Sequence, residues 1–312
     1  MAKIDITKIK TYSVKKRPSK VKSGDFAKTC KKGAKFIDFY DSLPNILAAS
    51  ELKVLVDAIV RARKNSKPVI FMFGAHVIKC GLSPLIIDLI GKDIITAIAL
   101  NGAGVVHDSE IAMVGFTSED VAKALEDGSF GMARETAEFV NSAVKDAAKR
   151  NIGMGKAIGE AINKSGFKYK DLSILAAAQR KEISATIHVA IGADIVHQHP
   201  SCDGASLGKA SLEDFHIFIS EAAKLGNGGV VVNIGSAVVL PEVFLKAFNV
   251  ARNLGNNVKN FTAANFDMLH QYRPYQNVVK RPTMSGGKGI SITGHHEIMI
   301  PLLYQAIIEK IT

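Results

Sequence analysis

The 312-residue sequence contains no tryptophan and only three cysteines, Cys30, Cys80 and Cys202. An odd number without zinc-type spacing argues against a disulfide framework and reads as reduced thiols in a cytoplasmic protein. No run of eighteen apolar residues occurs. The best candidate, from Val230, is broken by Asn233, Pro241 and Glu242, so no membrane-spanning helix is expected. Nor is a secretory signal expected, because Lys3 and Asp5 interrupt the start before an apolar core can form. Acidic residues are scarce in one stretch. Residues 1–35 hold only Asp5 and Asp25 against twelve lysines and arginines, which accounts for ten of the eleven net positive charges. Such an arm suits an acidic partner, a neighbouring subunit or plain solvent. Nucleic acid is disfavoured, since no aromatics are interleaved with base-reading residues.

What the chain does have is strand and helix patterning in alternation. Val69 to Phe73 is a charge-free apolar run, as expected for a strand buried on both faces. Gly74 ends it, and Ser83-Pro84 supplies an N-cap with proline at the first helical position. Ile94 to Leu100 reads as a second buried strand, ending in Asn101-Gly-Ala-Gly104. Further strands are predicted at Ser173–Ala177, Thr186–Ala190, Gly229–Ile234 and Phe261–Ala264. Helices are predicted over Asn45–Lys64, Met132–Arg150 and Lys156–Lys164, and from His296 to the C-terminus. Thr117–Asp120 and Ser211–Asp214 read as capping boxes that open two more, and Pro241 opens a helix ending near Leu254. There is no internal repeat and no low-complexity linker. The expected architecture is a basic arm over 1–35 followed by one α/β domain over 36–312, with a mostly parallel Rossmann-like sheet flanked by helices.

Two glycine-rich stretches are not cofactor signatures. Gly153-Met-Gly155-Lys-Ala-Ile-Gly159 has one residue too many before its third glycine and follows a helix, so it reads as a helix–helix turn. Ser285-Gly-Gly-Lys-Gly289 lacks P-loop spacing and reads as a mobile loop. The polar residues just past the strand ends are more telling: His76; Asn101, His107 and Asp108; Asp194, His197, His199 and Asp203; Ser236 and Glu242; Asn265, Asp267, His270 and Arg273. His295, His296 and Glu297 precede the last helix. In a parallel sheet these loops share one edge, so the groups can converge. Their chemistry reads two ways, as ligands for a divalent metal or as acid–base groups around an organic cofactor.

The ordered series FGAHVIKCGLSPLI, ALNGAGVVHD, HPSCDGASLG, NIGSAVV, FTAANFD and IPLLYQAI resembles deoxyhypusine synthase, in the bacterial deoxyhypusine synthase-like branch, from about Phe36 onward. The resemblance implies a Rossmann-like sheet, a homotetramer and NAD bound at subunit interfaces. It also implies NAD-dependent transfer of the aminobutyl group of spermidine to a lysine of a translation factor.

Residue by residue, Gly74, Ala75 and His76 stand where that family has a Thr-Ser-Asn turn near NAD. Asn101, Gly102 and Gly104 lie in the place of its Thr-Ala-Gly-Gly, and Gly235 and Ser236 in that of its triple glycine. Asp203-Gly204 matches its Asp-Gly, Thr262-Ala263 its Thr-Ala, and Phe266-Asp267 its Phe-Asp; His295 falls within its late Asp-Ala. The amine side departs: His107 replaces an acid, Pro241 and Glu242 replace two histidines, and the Trp-Gly-Lys context is NVVKRPT here, leaving Lys280 two positions early. The resulting expectation is an NAD-dependent aminoalkyl transferase acting on a polyamine and an amine acceptor. Asp203, Asp267 and His107 would serve hydride abstraction, with Lys280 as nucleophile. The alternatives are a metal-dependent hydrolase using His76, His107, His197, His199 and His295 or His296, and a non-catalytic member whose arm serves assembly.

Overall fold

The structure, a computed structural model, describes residues 3–311. Met1, Ala2 and Thr312, at the ends of the predicted arm and closing helix, lie outside the described residues. The chain divides into two compact units, Met1–Ser50 and Glu51–Thr312, so the segment read as an arm to residue 35 belongs to a unit reaching Ser50.

In the first unit no residue from Lys3 to Phe39 is buried. The charge density leaves little to pack, and among the described residues before Phe36 the helical structure is limited to three single 3-10 turns: Ile6–Lys8, Val14–Lys16 and Ser23–Asp25. Helix α1 (Phe36–Ser42) follows, and α2 (Leu47–Lys64) begins at the unit's end.

The second unit continues through β1 (Val69–Phe73), α3 (His76–Lys79), α4 (Ser83–Gly91), β2 (Ala97–Asn101), α5 (Gly102–Val114), α6 (Val121–Leu125), α7 (Arg134–Arg150), α8 (Met154–Lys164), α9 (Ile174–Arg180) and β3 (Ser184–His188). It ends with α10 (Gly204–Ala223), β4 (Val230–Ile234), α11 (Val239–Asn253), β5 (Phe261–Asp267), α12 (Tyr272–Pro274), a π-helical turn at Tyr275–Lys280, β6 (Gly287–Thr293) and α13 (His296–Lys310). Six strands form one sheet in the order β3-β2-β1-β4-β5-β6, and every neighbouring pair is parallel. Strands β1 and β4 are buried at every residue, as runs covered by helices on both faces must be. One face packs Ile70, Met72, Val231 and Ala263 against Phe218, Phe244 and Phe248 of α10 and α11. Among the described residues no helix is long and apolar enough to cross a membrane.

The α/β architecture is as expected, but three local readings are corrected. Ser173–Ala177 is not a strand; it starts α9. A short apolar run is ambiguous between a strand and a buried helix, and here a distant carboxylate decides. Asp108, fully buried in α5, accepts hydrogen bonds from Ser173 Oγ at 2.5 Å, Ile174 N at 2.8 Å and Leu175 N at 3.3 Å. Ser173 Oγ accepts from Ala176 N at 3.0 Å. Asp108→Ala strands those donors in the core, and a loss of about 3 kcal/mol in urea unfolding is expected.

Ser211–Asp214 does not open a helix either. Helix α10 starts seven residues earlier, capped by Asp203, and Asp214 turns inward from its middle. Finally, Gly287–Gly289 is not a loop but the start of β6, an edge strand with only Ile290 and Ile292 buried.

Candidate functional site

The order of strands reverses between β1 and β4, and in open parallel sheets the crevice beyond the carboxyl ends at such a reversal is where ligands bind. The two turns there are almost in backbone contact. Gly74 N donates to Ile234 O at 3.1 Å, and a Cβ on Gly74 would lie 2.6 Å from Gly235 O. Gly235 has φ +63° and would meet the ring of His296 if it carried a Cβ. Both turns therefore need glycine.

His296 lies under this crevice, 1% exposed, with Nε2 3.4 Å from Phe266 O and its ring 5.5 Å from that of His76. The carbonyl can only accept, so Nε2 carries the proton and Nδ1 is an acceptor. Nδ1 is buried and has no partner; nor has Oδ2 of Asp267, the last residue of β5. Burial lowers the His296 pKa, opposed by Phe266 O and the nearby Asp267. Cys80 donates to Glu297 at 3.8 Å, and burial followed by that carboxylate raises its thiol pKa, so it is not an activated nucleophile.

Helix α3 joins this crevice to a second feature. His76 and Lys79 stand at its two ends, one turn apart, and Lys79 lines a cavity of about 580 Å³ between α5, residues 116–136 and Ala193–Ile195. Its walls include Val106, Met113, Phe116, Phe130 and Ile195, and its acids are Glu110, Glu119, Glu135 and Asp194. His107 faces it from α5, with Nδ1 2.6 Å from Thr117 Oγ1. Thr117 Oγ1 donates to Glu110 Oε2, and Thr136 Oγ1 donates to Glu110 Oε1 at 3.0 Å. Burial, then the positive charge of Lys79, pushes the His107 pKa down to about 4, so the ring is neutral near pH 7.

Asp194 sits over the start of α5, where a Cβ on Gly102 would meet its carboxylate at 1.9 Å. Burial raises its pKa, against the charge of His197 and a bond from Ala103 N.

The expected site residues are thus distributed unevenly. Gly74, Ala75, His76, Gly235, Ser236 and Asp267 gather at the crevice, and His107 lines the neighbouring cavity. Asn101, Gly102 and Gly104 form the capped start of α5, with Asn101 Oδ1 accepting from Gly104 N at 2.9 Å. The other four lie elsewhere or do something else. Asp203 is exposed and spends its carboxylate capping α10. Ala263 is mid-strand in the hydrophobic core, four residues before the sheet edge. His295 is exposed, and its neighbour His296 is the buried ring.

Lys280 is exposed at the end of the π-helical turn, beside Thr283 and level with Gly289. Gly289 lies four residues before the end of β6, so Lys280 neighbours the body of the strand and not the strand ends where the other residues gather.

His197 and His199 bond within their own loop, to Gly192 N at 3.1 Å and Ser201 Oγ at 2.7 Å. Among the described residues no three His, Cys, Asp or Glu side chains are arranged to hold a metal ion. Lys79, Glu110 and Thr136 belong to no site motif in the sequence, and Thr117 reads there as a capping residue, whereas Asp120 caps α6 and the Thr117 hydroxyl goes to Glu110. The usable signal was Glu110 at i+3 from His107 and Lys79 at i+3 from His76, one helical turn each.

No family model matches the chain, and no curated protein matches it. Solved structures do. A protein assigned as a deoxyhypusine synthase from Entamoeba histolytica aligns over 90% of this chain and 96% of its own, with a TM-score of 0.53 and 11% identity. The fold is deoxyhypusine synthase-like. ArgZ, an arginine dihydrolase from the ornithine–ammonia cycle in cyanobacteria, aligns over 86% of this chain with a TM-score of 0.52 and 12% identity. AgrE, in a ternary complex with ornithine and NAD+, aligns over 85% with a TM-score of 0.52 and 16% identity. This chain spans about a third of the length of ArgZ and AgrE, 34% in each case. At such identities the shared property is the fold.

NAD, the cofactor expected of a deoxyhypusine synthase-like fold, can be tested against the residues present. The unpartnered Asp267 oxygen and His296 Nδ1 are two buried acceptors at the switch point, and they fit a ligand rich in hydroxyl and amide donors. The start of α5 does not suit a pyrophosphate, because Asp194 already holds it with a negative group. The fit therefore lies on the β1, β4 and β5 side of the crevice.

Proposed function

We propose that the chain is an NAD-dependent transferase that moves an aminoalkyl group from a polyamine to a small amine acceptor. The cavity beside His107 carries the reading. Its carboxylates outnumber its one cation, Lys79, and its walls are apolar, which suits an aliphatic chain ending in an ammonium group. The resemblance located carboxylates at positions occupied here by histidine; Glu110, Glu119 and Glu135 supply the negative charge from other positions. Asp267, His296, His76 and the Gly74 and Gly235 turns would hold NAD, whose chemistry there would be to take hydride from the carbon beside the amine nitrogen and to give it back after the acceptor amine has displaced the rest of the polyamine as a free amine. The neutral His107 ring accepts a hydrogen bond from the amine, while the apolar walls exclude water. Lys280 has no part in this reading, and a free diamine acceptor requires no enzyme-bound lysine adduct. Assembly as a homotetramer belongs to the same reading.

Calorimetric titration of NAD into the full chain is expected to saturate near one per subunit and to fail for Asp267→Ala. With NAD bound, a polyamine should generate absorbance from reduced NAD. Absence of NAD binding by the wild-type chain would overturn the proposal.

A further inference from the structure

The hydrogen bonds around His107 determine more than its position. Glu110, as a carboxylate, can only accept, and it accepts from both Thr117 Oγ1 and Thr136 Oγ1. Thr117 has one hydroxyl proton, and that proton is committed to Glu110. At 2.6 Å from His107 Nδ1, the Thr117 oxygen can then act only as an acceptor, so the ring nitrogen must be the donor. A neutral imidazole has one N–H. With it on Nδ1, Nε2 keeps its lone pair, and among the described residues no group is in hydrogen-bonding contact with Nε2.

We propose that Glu110 and Thr117 are positioning residues that lock His107 in its Nδ1–H tautomer, so that Nε2 faces the cavity as an obligate acceptor and selects ligands that offer N–H. The charged groups around the ring agree with such a choice. Glu110 lies on its own helix, with Nδ1 to Oε2 4.0 Å; Lys79 approaches from α3; and Glu119, Glu135 and Asp194 face the same space. An ammonium group finds an acceptor on the ring and carboxylates beyond it. A ligand carboxylate finds a lone pair and like charge. Thr136 donates to the second oxygen of Glu110 and so holds the carboxylate in place to receive the Thr117 proton.

The inference rests on the amine reading only for the identity of the ligand. The tautomer itself is read without NAD or turnover, so failure of one leaves the other standing. The test is a nitrogen–proton correlation spectrum of the full chain labelled with ¹⁵N-histidine, with His107 assigned by His107→Gln. At neutral pH the expected result is a protonated Nδ1 and an unprotonated Nε2. Thr117→Val and Glu110→Gln should each move the population toward Nε2–H, and Thr117→Ser should keep the wild-type pattern. Putrescine should shift the Nε2 resonance and succinate should not. A wild-type His107 ring with Nε2–H would overturn the proposal. A tautomer unchanged in both Thr117→Val and Glu110→Gln, or a response to succinate instead of putrescine, would also overturn it.

Discussion

His107→Leu is expected to lower the amine-dependent reduction of NAD by roughly 10²- to 10⁴-fold, the range for loss of one positioned acid–base group. The side chain is half-buried in the wall of an apolar-sided cavity, so leucine replaces it at similar volume and the fold should persist. NAD binding should persist as well, because the proposed NAD contacts are at Gly74, Gly235, Asp267 and His296. Calorimetry with NAD and a stopped-flow assay on the same sample separate the two effects. A variant that binds NAD normally and keeps its full rate would remove His107 from the mechanism. The pH dependence has a definite sign. Burial and Lys79 hold the His107 pKa at about 4, so this ring loses its acceptor function only as the pH falls toward that value. The wild-type rate should show no His107-dependent loss between neutral pH and about 5.

A large fall in stability with rising pH is expected from Asp214, and most of it should be lost in Asp214→Asn. The carboxylate of this α10 residue accepts from Gly155 N at 3.0 Å, at the start of α8, and from Ile187 N at 2.8 Å, on edge strand β3. Its Oδ1 is buried without a partner. Desolvation outweighs the backbone bonds, aided slightly by the charge of Glu213, and raises its pKa from 3.8 to about 7.

The folded chain therefore holds this proton more tightly than the unfolded chain. The associated stability is fully present below about pH 4 and is lost as the pH rises through about 7. The shift corresponds to on the order of 4 kcal/mol. Urea midpoints at pH 5 and pH 8 should differ clearly in the wild type, and the difference should shrink in Asp214→Asn. A smaller slope should remain from Asp108, whose pKa burial raises to about 6. Equal slopes in wild type and variant would contradict the assignment.

Both predictions turn on buried polar groups, and these were the part least legible in sequence. In the sequence Asp108 looks like a polar loop residue and Asp214 like half of a capping box. Each is instead a helix residue whose carboxylate serves backbone N–H groups on another element. Local spacing cannot reveal this, since the partners are 66 and 27 residues away. The same holds at the site. His295 and His296 are adjacent, and only the packing of α13 under the Gly235 turn buries one and exposes the other. Asp203 has the composition of a site residue, but an exposed N-cap uses it up. Glu110, Thr117 and Thr136 are scattered over three elements and meet only through the fold.

The sequence by itself determined the alternation of buried strands and amphipathic helices, the glycine turns after β1 and β4, and the basic character of residues 1–35. Those follow from hydrophobic period, backbone steric limits and composition, which are properties of neighbouring residues. Tertiary structure decided the strand order with its reversal at β1 and β4, and which histidines are neutral. It also decided which carboxylates face the cavity rather than cap a helix. Those depend on desolvation and on donors that approach from distant parts of the chain, and no local pattern encodes them.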